Sequence, residues 1–247
     1  MKYYEPFIGG GAVFFNLQPH PAVISDLNPR VIKVYEAVKY CPEDVIVELH
    51  RCRENHSKEY FQHVLQRYNE NDFMHLAESA ALFIYLIYRC FFGIYRENAE
   101  GKITATFGGF DPTKEGEVLL EFKVHETRIR ACSQVLQNTD IRNCSFEETK
   151  IEEGAFYYFD PPYHELSQGY SKDSFNEDDQ SRLAKMCHAI HHAGGYFILS
   201  NSNTDFIKNL YVDYSIENIF IKYAISAHHI QTDEVKRSKE VLISNIY

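Results

Sequence analysis

The spacing of apolar positions changes twice along this chain and divides it into three zones. At the amino end an aromatic run, YYEPF, stops at IGGG. AVFFNL then resumes with helix-compatible spacing, and AVISD (22–26) is a second short apolar run ending in an acid. Asn28 and Pro29 mark a turn, after which RVIKVYEAVK returns to a helical period. This zone reads as strand, glycine loop, helix, strand, with a helix following. Residues 42–95 keep a helical period throughout. PEDVIVELHRCREN opens on Pro and two acids, the chemistry of a first helical turn, and KEYFQHVLQRYNEN and HLAESAALFIYLIYRCFF follow. The glycine-punctuated stretch FGIYRENAEGKITATFGGFDP (92–112) reads as a loop or hairpin.

From residue 139 short apolar runs return: TDIRNCSF, AFYYFD, GYFILSN, IFIKYAIS and EVLISNIY. EDDQSRLAKMCHAIHHA (177–193) and NTDFIKNLY (203–211), lying between them, have helical spacing. Strands alternating with helices predict an α/β fold with a mostly parallel, doubly wound sheet. The helical middle zone then reads as an insertion, giving one domain from residues 1–40 and 131–247 and a second from 41–130.

Composition fits that picture. Of 247 residues 45% are hydrophobic, enough for a packed core. Six cysteines sit at irregular spacings without a CxxC pair, the pattern of free thiols in a reducing, cytoplasmic setting. The longest apolar run, AALFIYLIYRCFFGIY (80–95), is interrupted by Arg89 and is too short to span a bilayer. The formal net charge of −10 lacks the global basic footprint of a nucleic-acid binder, although basic residues cluster in RCR, KVHETRIR and KRSK. Each cluster alone reads as a solvated face.

Three motifs carry candidate chemistry. EPFIGGG (5–11) places three glycines after a strand, where they allow either a plain tight turn or a close backbone approach to a ligand. Asp26 ends the next strand, where an acid either takes the ribose hydroxyls of an adenosyl cofactor or forms a turn with Asn28 and Pro29. The most specific is DPPY, Asp160 to Tyr163, in YYFDPPYHEL (157–166). Prolines cannot donate to a sheet ladder, so two in a row make a rigid exit from a strand. The lone pair of an exocyclic amine on a base is delocalised into the ring. A carboxylate and a bare carbonyl accepting its two hydrogens would push it toward a reactive tetrahedral state. An aromatic ring one step on would stack on the extruded base. HAIHH sets His188 one turn from His191 or His192, but no third ligand is evident and no metal is expected.

EPFIGGGAVF followed downstream by FDPPY resembles the D12 class, Dam-type, DNA adenine-N6 methyltransferases. CFFGIYREN (90–98) is similar to that family's C-F-N-G-L-Y-R-x-N loop, and YSKDSF, ILSNSNTDFIKNLY and the stretch from AISAHH to EVLISNIY are similar to its later segments. The resemblance runs in order over nearly the whole chain. It implies a Rossmann-like methyltransferase sheet with an inserted, mainly helical DNA-recognition domain, and S-adenosylmethionine as the methyl donor, with no metal. By position, the loop of Glu5, Pro6, Phe7, Gly9 and Gly11 would hold the methionine part of the cofactor, Asp26 its ribose, and Phe146 would lie near its adenine. Asp160 and the Pro161 carbonyl, in a corner completed by Pro162, would take the target amine, and Tyr163 would stack on the flipped adenine. Phe91, Phe92, Ile94, Arg96, Tyr170 and Phe175 would meet the DNA, with Arg96 the candidate base reader at a GATC-like site.

The implied partners are double-stranded DNA and a separately acting cognate restriction endonuclease, with no membrane, in a monomer of bacterial or phage origin. Two departures stand out. Ile87 and Phe92 occupy places where the family loop usually has Asn. Only MKYY precedes Glu5, and there is no Trp, where family members carry a K-W-x-G-G-K-like segment. The alternative expectation is accordingly a shortened, weak or inactive DNA-binding relative. RNA or protein glutamine as substrate is a third reading, disfavoured because protein-directed relatives usually carry Asn at the position of Asp160.

Overall fold

The computed structural model describes residues 1–70, 74–91, 96–98, 100–108, 119–164, 175–221 and 238–246. Aromatic and branched side chains set the first strands: β1 (Tyr3–Glu5) is buried along its length, and β2 (Ala22–Asp26) is buried up to its terminal acid. Between them α1 (Ala12–Leu17) starts at Gly11, whose φ of 66° lies in the left-handed region. α2 (Pro29–Tyr40) begins with Pro at its first position, and the Asn28 side chain accepts from the Arg30 N–H. α3 (Pro42–Glu54), α4 (Lys58–Asn69) and α5 (Leu76–Arg89) follow, with Ser57 capping α4.

The glycine-punctuated segment contributes β3 (Arg96–Glu97) and β4 (Ile103–Thr104), an antiparallel pair. α6 (Glu126–Leu136) leads to β5 (Thr139–Asn143), and a short 3-10 helix (Phe146–Glu148) precedes β6 (Phe156–Phe159). α7 (Glu177–His192), β7 (Tyr196–Ser202), α8 (Asp205–Leu210), β8 (Ser215–Ile221) and β9 (Ser238–Ser244) complete the order.

Seven of these strands form one sheet in the order β5-β2-β1-β6-β7-β9-β8. β1 pairs in parallel with β2 and β6, and β6 with β7, whereas β9 runs antiparallel to β7 and β8. This is the doubly wound, Rossmann-like α/β sheet that the alternating pattern predicts. By packing the chain divides into two compact units, Met1–Leu27 with Arg142–Tyr247, and Asn28–Ile141. The core of the first collects Tyr4, Tyr157, Phe159, Leu183, Phe197 and Leu199 around the sheet. That of the second collects Val45, Leu49, Phe61, Ala81, Tyr85 and Leu86 from α3, α4 and α5.

Two elements differ from the sequence reading. The sequence reading assigns no element to residues 126–136, which form α6: Ser133 and Leu136 are buried and Ile129 is half-buried, while Arg128 and Arg130 stay exposed, as expected of a solvated face. β8 occupies Ser215–Ile221, beginning ahead of IFIKYAIS, because its pairing with β9 sets the register from Ser215↔Ser244. All six cysteines are unpaired, and among the described residues no helix is long and apolar enough to cross a membrane.

Candidate active site

Parallel pairing sets the carboxyl ends of β1, β2, β6 and β7 on one edge of the sheet. The chain steps from β1 to β2 on one side, and β6 later lies against β1 on the other, so the winding reverses between β1 and β6. Crevices that hold ligands in open α/β sheets form at such a reversal. The glycine turn leaves β1 there, and DPPY leaves β6 there.

The glycine turn is held by its own backbone and by Asp26. The Ile8 N–H donates to the Ser25 carbonyl at 3.0 Å, and the Gly11 N–H to the Ile8 carbonyl at 2.7 Å. The Gly9 N–H donates to Asp26 Oδ2 at 3.0 Å. Gly9 has a φ of 44° and open space where a Cβ would stand, so glycine is required for conformation and not for room. Asn143 Nδ2 reaches the carbonyls of Asp26 and Leu27 at 2.9 and 3.1 Å, fixing the strand end that carries the acid.

Beside this turn three phenylalanines from distant segments meet. Phe7 stacks on Phe146 with centroids 5.4 Å apart, and Phe175 meets both edge-on at 5.6 and 5.8 Å. Phe146 opens the 3-10 helix, whose capping box pairs the Ser145 side chain with backbone N–H groups and returns Glu148 to the Ser145 N–H. Phe175, expected among the DNA contacts, is therefore placed with the residues expected at the cofactor.

Asp160 is exposed at the end of β6, and Ser200 Oγ donates to its Oδ1 at 2.7 Å. Pro161 is buried and Pro162 exposed. Gln180 Nε2 donates to the Pro162 carbonyl at 2.9 Å, while among the described residues no hydrogen bond is made to the Pro161 carbonyl. Tyr163 is half-buried, and its hydroxyl donates to Glu240 Oε2 at 3.1 Å. Burial, together with the charges of Asp160 and Glu240, holds that phenol well above its ordinary pKa, so it stays a neutral donor.

His164 anchors the corner's far end. Its N–H donates to Asn201 Oδ1 at 3.1 Å, and its carbonyl accepts from Ser202 Oγ at 2.6 Å. Its ring faces Thr204 Oγ1 at 3.0 Å and stacks on Phe206. Glu5 is buried at the end of β1. Burial pushes its carboxyl up to about 7, the Tyr3 hydroxyl donating to Oε2 opposes the rise, and the charge of Asp160 adds to it.

Arg96 lies in β3, where only its backbone is described, and Phe91 is exposed, half of its surface reaching solvent. Phe92, Ile94 and Tyr170 lie outside the described residues. His188 and His191 are engaged by Tyr214 and Asn245 through their Nδ1 atoms at 2.7 and 3.2 Å.

The sequence reading gave no role to Ser200, Gln180, Asn201, Glu240 or Tyr3, which hold the acids and the proline corner. One signal was legible: LSNS sets three polar residues at the end of an otherwise apolar strand, and two of them, Ser200 and Asn201, are buried. Such groups must find partners.

The edge thus combines a glycine turn tied to an acid, an aromatic cluster, and a rigid corner offering a carboxylate and a carbonyl. A family model described as D12 class N6 adenine-specific DNA methyltransferase matches residues 1–225. The chain is 34% identical to the type II methyltransferase M1.LlaDCHI of Lactococcus lactis subsp. cremoris, over 88% of this chain and 78% of that one. It is 33% identical to the type II methyltransferase M.MjaIII of Methanocaldococcus jannaschii, over 91% and 82% of the two chains. The DNA adenine methylase of Vibrio cholerae is 29% identical over 84% and 74%.

Proposed function

Because the chain belongs to the D12 class of N6 adenine-specific DNA methyltransferases, we propose that it transfers a methyl group from S-adenosylmethionine to the N6 amine of an adenine flipped from duplex DNA. The observation that carries this reading is the meeting of glycine turn and proline corner at the point where the sheet's winding reverses. The residues beside the turn fit the cofactor. An acid at the end of β2 suits a ribose diol. The Phe7, Phe146 and Phe175 cluster offers aromatic surface to an adenine ring. Glu5, Pro6, Phe7, Gly9 and Gly11 would line the methionine part, with Asp26 on the ribose and Phe146 by the base.

S-adenosylmethionine supplies a methyl group already activated by its sulfonium, so the chain's task is mostly positioning. Asp160 accepts one hydrogen of the target amine and the Pro161 carbonyl the other, drawing the nitrogen lone pair out of the ring. Ser200 keeps Asp160 facing that point. Glu240 holds the hydroxyl of Tyr163, which leaves the ring as a stacking surface for the extruded base.

Residues 41–130 would serve DNA recognition, with Phe91, Phe92, Ile94 and Arg96 entering the duplex and Tyr170 meeting it. Arg96 reading a guanine edge makes a GATC-like duplex the first substrate to try. Six unpaired cysteines suit a reducing compartment in a bacterial or phage-infected cell, and two type II relatives make a separate cognate endonuclease the partner to look for.

The test combines calorimetry with S-adenosylmethionine and methyl transfer to duplex DNA. The wild-type protein should bind the cofactor and methylate adenine, and Asp160→Ala should lose transfer while still binding. Full transfer by that variant defeats the proposed chemistry. Absence of cofactor binding in the wild type favours the alternative of a DNA-binding relative without transfer.

A further inference from the structure

Behind the proline corner runs a chain of amides that the reaction itself does not use. Asn201, fully buried on β7, accepts through Oδ1 from the backbone N–H groups of His164 at 3.1 Å and Ser202 at 2.9 Å. A backbone N–H can only donate, so this end of the side chain is its oxygen. Asn201 Nδ2 must then face Gln180, and it donates to Gln180 Oε1 at 3.0 Å. Gln180, fully buried on α7, is left with Nε2, which donates to the Pro162 carbonyl at 2.9 Å. Turning either amide over would set oxygen against oxygen or hydrogen against hydrogen. The chain therefore has one polarity, fixed at both ends by backbone.

Its effect on the corner follows from torsions. The rings of Pro161 and Pro162 hold both φ angles near about −65°. Ser200 grips Asp160 before them, and the relay grips the Pro162 carbonyl and the His164 N–H after them. With both flanks pinned, little freedom remains in the ψ of Pro161, the angle that aims the Pro161 carbonyl. Packing alone does not call for this arrangement, since a buried amide stabilises only when every group is satisfied.

Resting on the adenine-methylation reading, we infer that Gln180, set by Asn201, is a positioning residue that aims the Pro161 carbonyl at the target amine. It touches neither substrate nor cofactor. Its contribution appears in turnover, because a misplacement of about 1 Å at a reacting centre costs on the order of a hundredfold in rate.

Two variants test this in the full-length protein with S-adenosylmethionine and an adenine-containing duplex. Gln180→Met keeps length and apolar volume but removes the donor. Asn201→Asp keeps the acceptor for two backbone N–H groups and removes the donor to Gln180, whose amide then turns its oxygen toward the Pro162 carbonyl. Both should lower kcat about ten- to a hundredfold. The KM for DNA and the calorimetric Kd for S-adenosylmethionine should stay within about threefold, a split that a general loss of structure does not produce. If the wild type transfers to adenine and either folded variant keeps kcat within about twofold, or loses cofactor affinity as steeply as rate, the positioning role is overturned while the adenine reading stands. If neither variant folds, a purely structural role replaces it. A wild type that binds cofactor but leaves adenine unmethylated overturns the adenine reading and this inference with it.

Discussion

Glu5 shows how one side chain can report the electrostatics of the whole edge. Its carboxyl is buried, and burial with the Asp160 charge raises it from 4.5 to about 7 in the folded protein. Between those two values the folded state holds more protons than the unfolded chain, so stability falls as pH rises through the interval. The contribution is fully present below about 4.5, is lost by about 7, and amounts to roughly 3 kcal/mol. Glu5→Gln keeps an acceptor for the Tyr3 hydroxyl and removes the charge. It should therefore be more stable than wild type in urea unfolding at pH 8, by a few kcal/mol, and nearly equal at pH 4.5. A difference that is flat with pH would show that the carboxyl is not held in its neutral form. At this scale the sequence was a partial guide. Asp160 and Tyr163 stood out because two prolines beside a strand are unusual. Glu240 and Ser200 did not, since each reaches the site across the sheet from far along the chain.

Among the elements, α7 ties local sequence to the corner. Asn176 accepts from the N–H groups of Asp178 and Asp179, and Asp179 returns a bond to the Asn176 N–H. Three acids in the first turn add favourable charge at that end. Gln180 sits just inside this cap, so fraying would loosen its hold on Pro162. Asn176→Ala should cost about 1 kcal/mol in chemical denaturation and lower methyl transfer along with it. A variant with unchanged stability would mean that the helix start is fixed by packing instead. The boundaries of α7 were legible because its caps and its period agree. α6 was not, because no side chain caps its start, although Ile129, Ser133 and Leu136 share one face at helical spacing.

For the molecule as a whole, a net charge of −10 must be reconciled with binding a polyanion. Arg130 belongs to a basic cluster in sequence. In the structure its guanidinium makes a two-pronged pair with Glu43 at 2.7 and 2.8 Å and a third contact with Glu126 at 3.0 Å. A phosphate would have to displace both carboxylates. Arg130→Ala should change DNA affinity by less than about twofold in fluorescence anisotropy at fixed salt. A loss of tenfold or more, with the salt slope reduced by about one, would place it on the phosphate backbone. The sequence by itself determined the alternation of strands and helices, the glycine turn and the proline corner. Those depend on local periods and on backbone chemistry that neighbouring residues impose. Only the tertiary structure decided which buried polar groups hold the corner, which cations are already paired, and that Phe175 packs with Phe7 and Phe146. Each of these joins segments tens of residues apart or more, and sheet order and packing, rather than the local period, determine which of them meet.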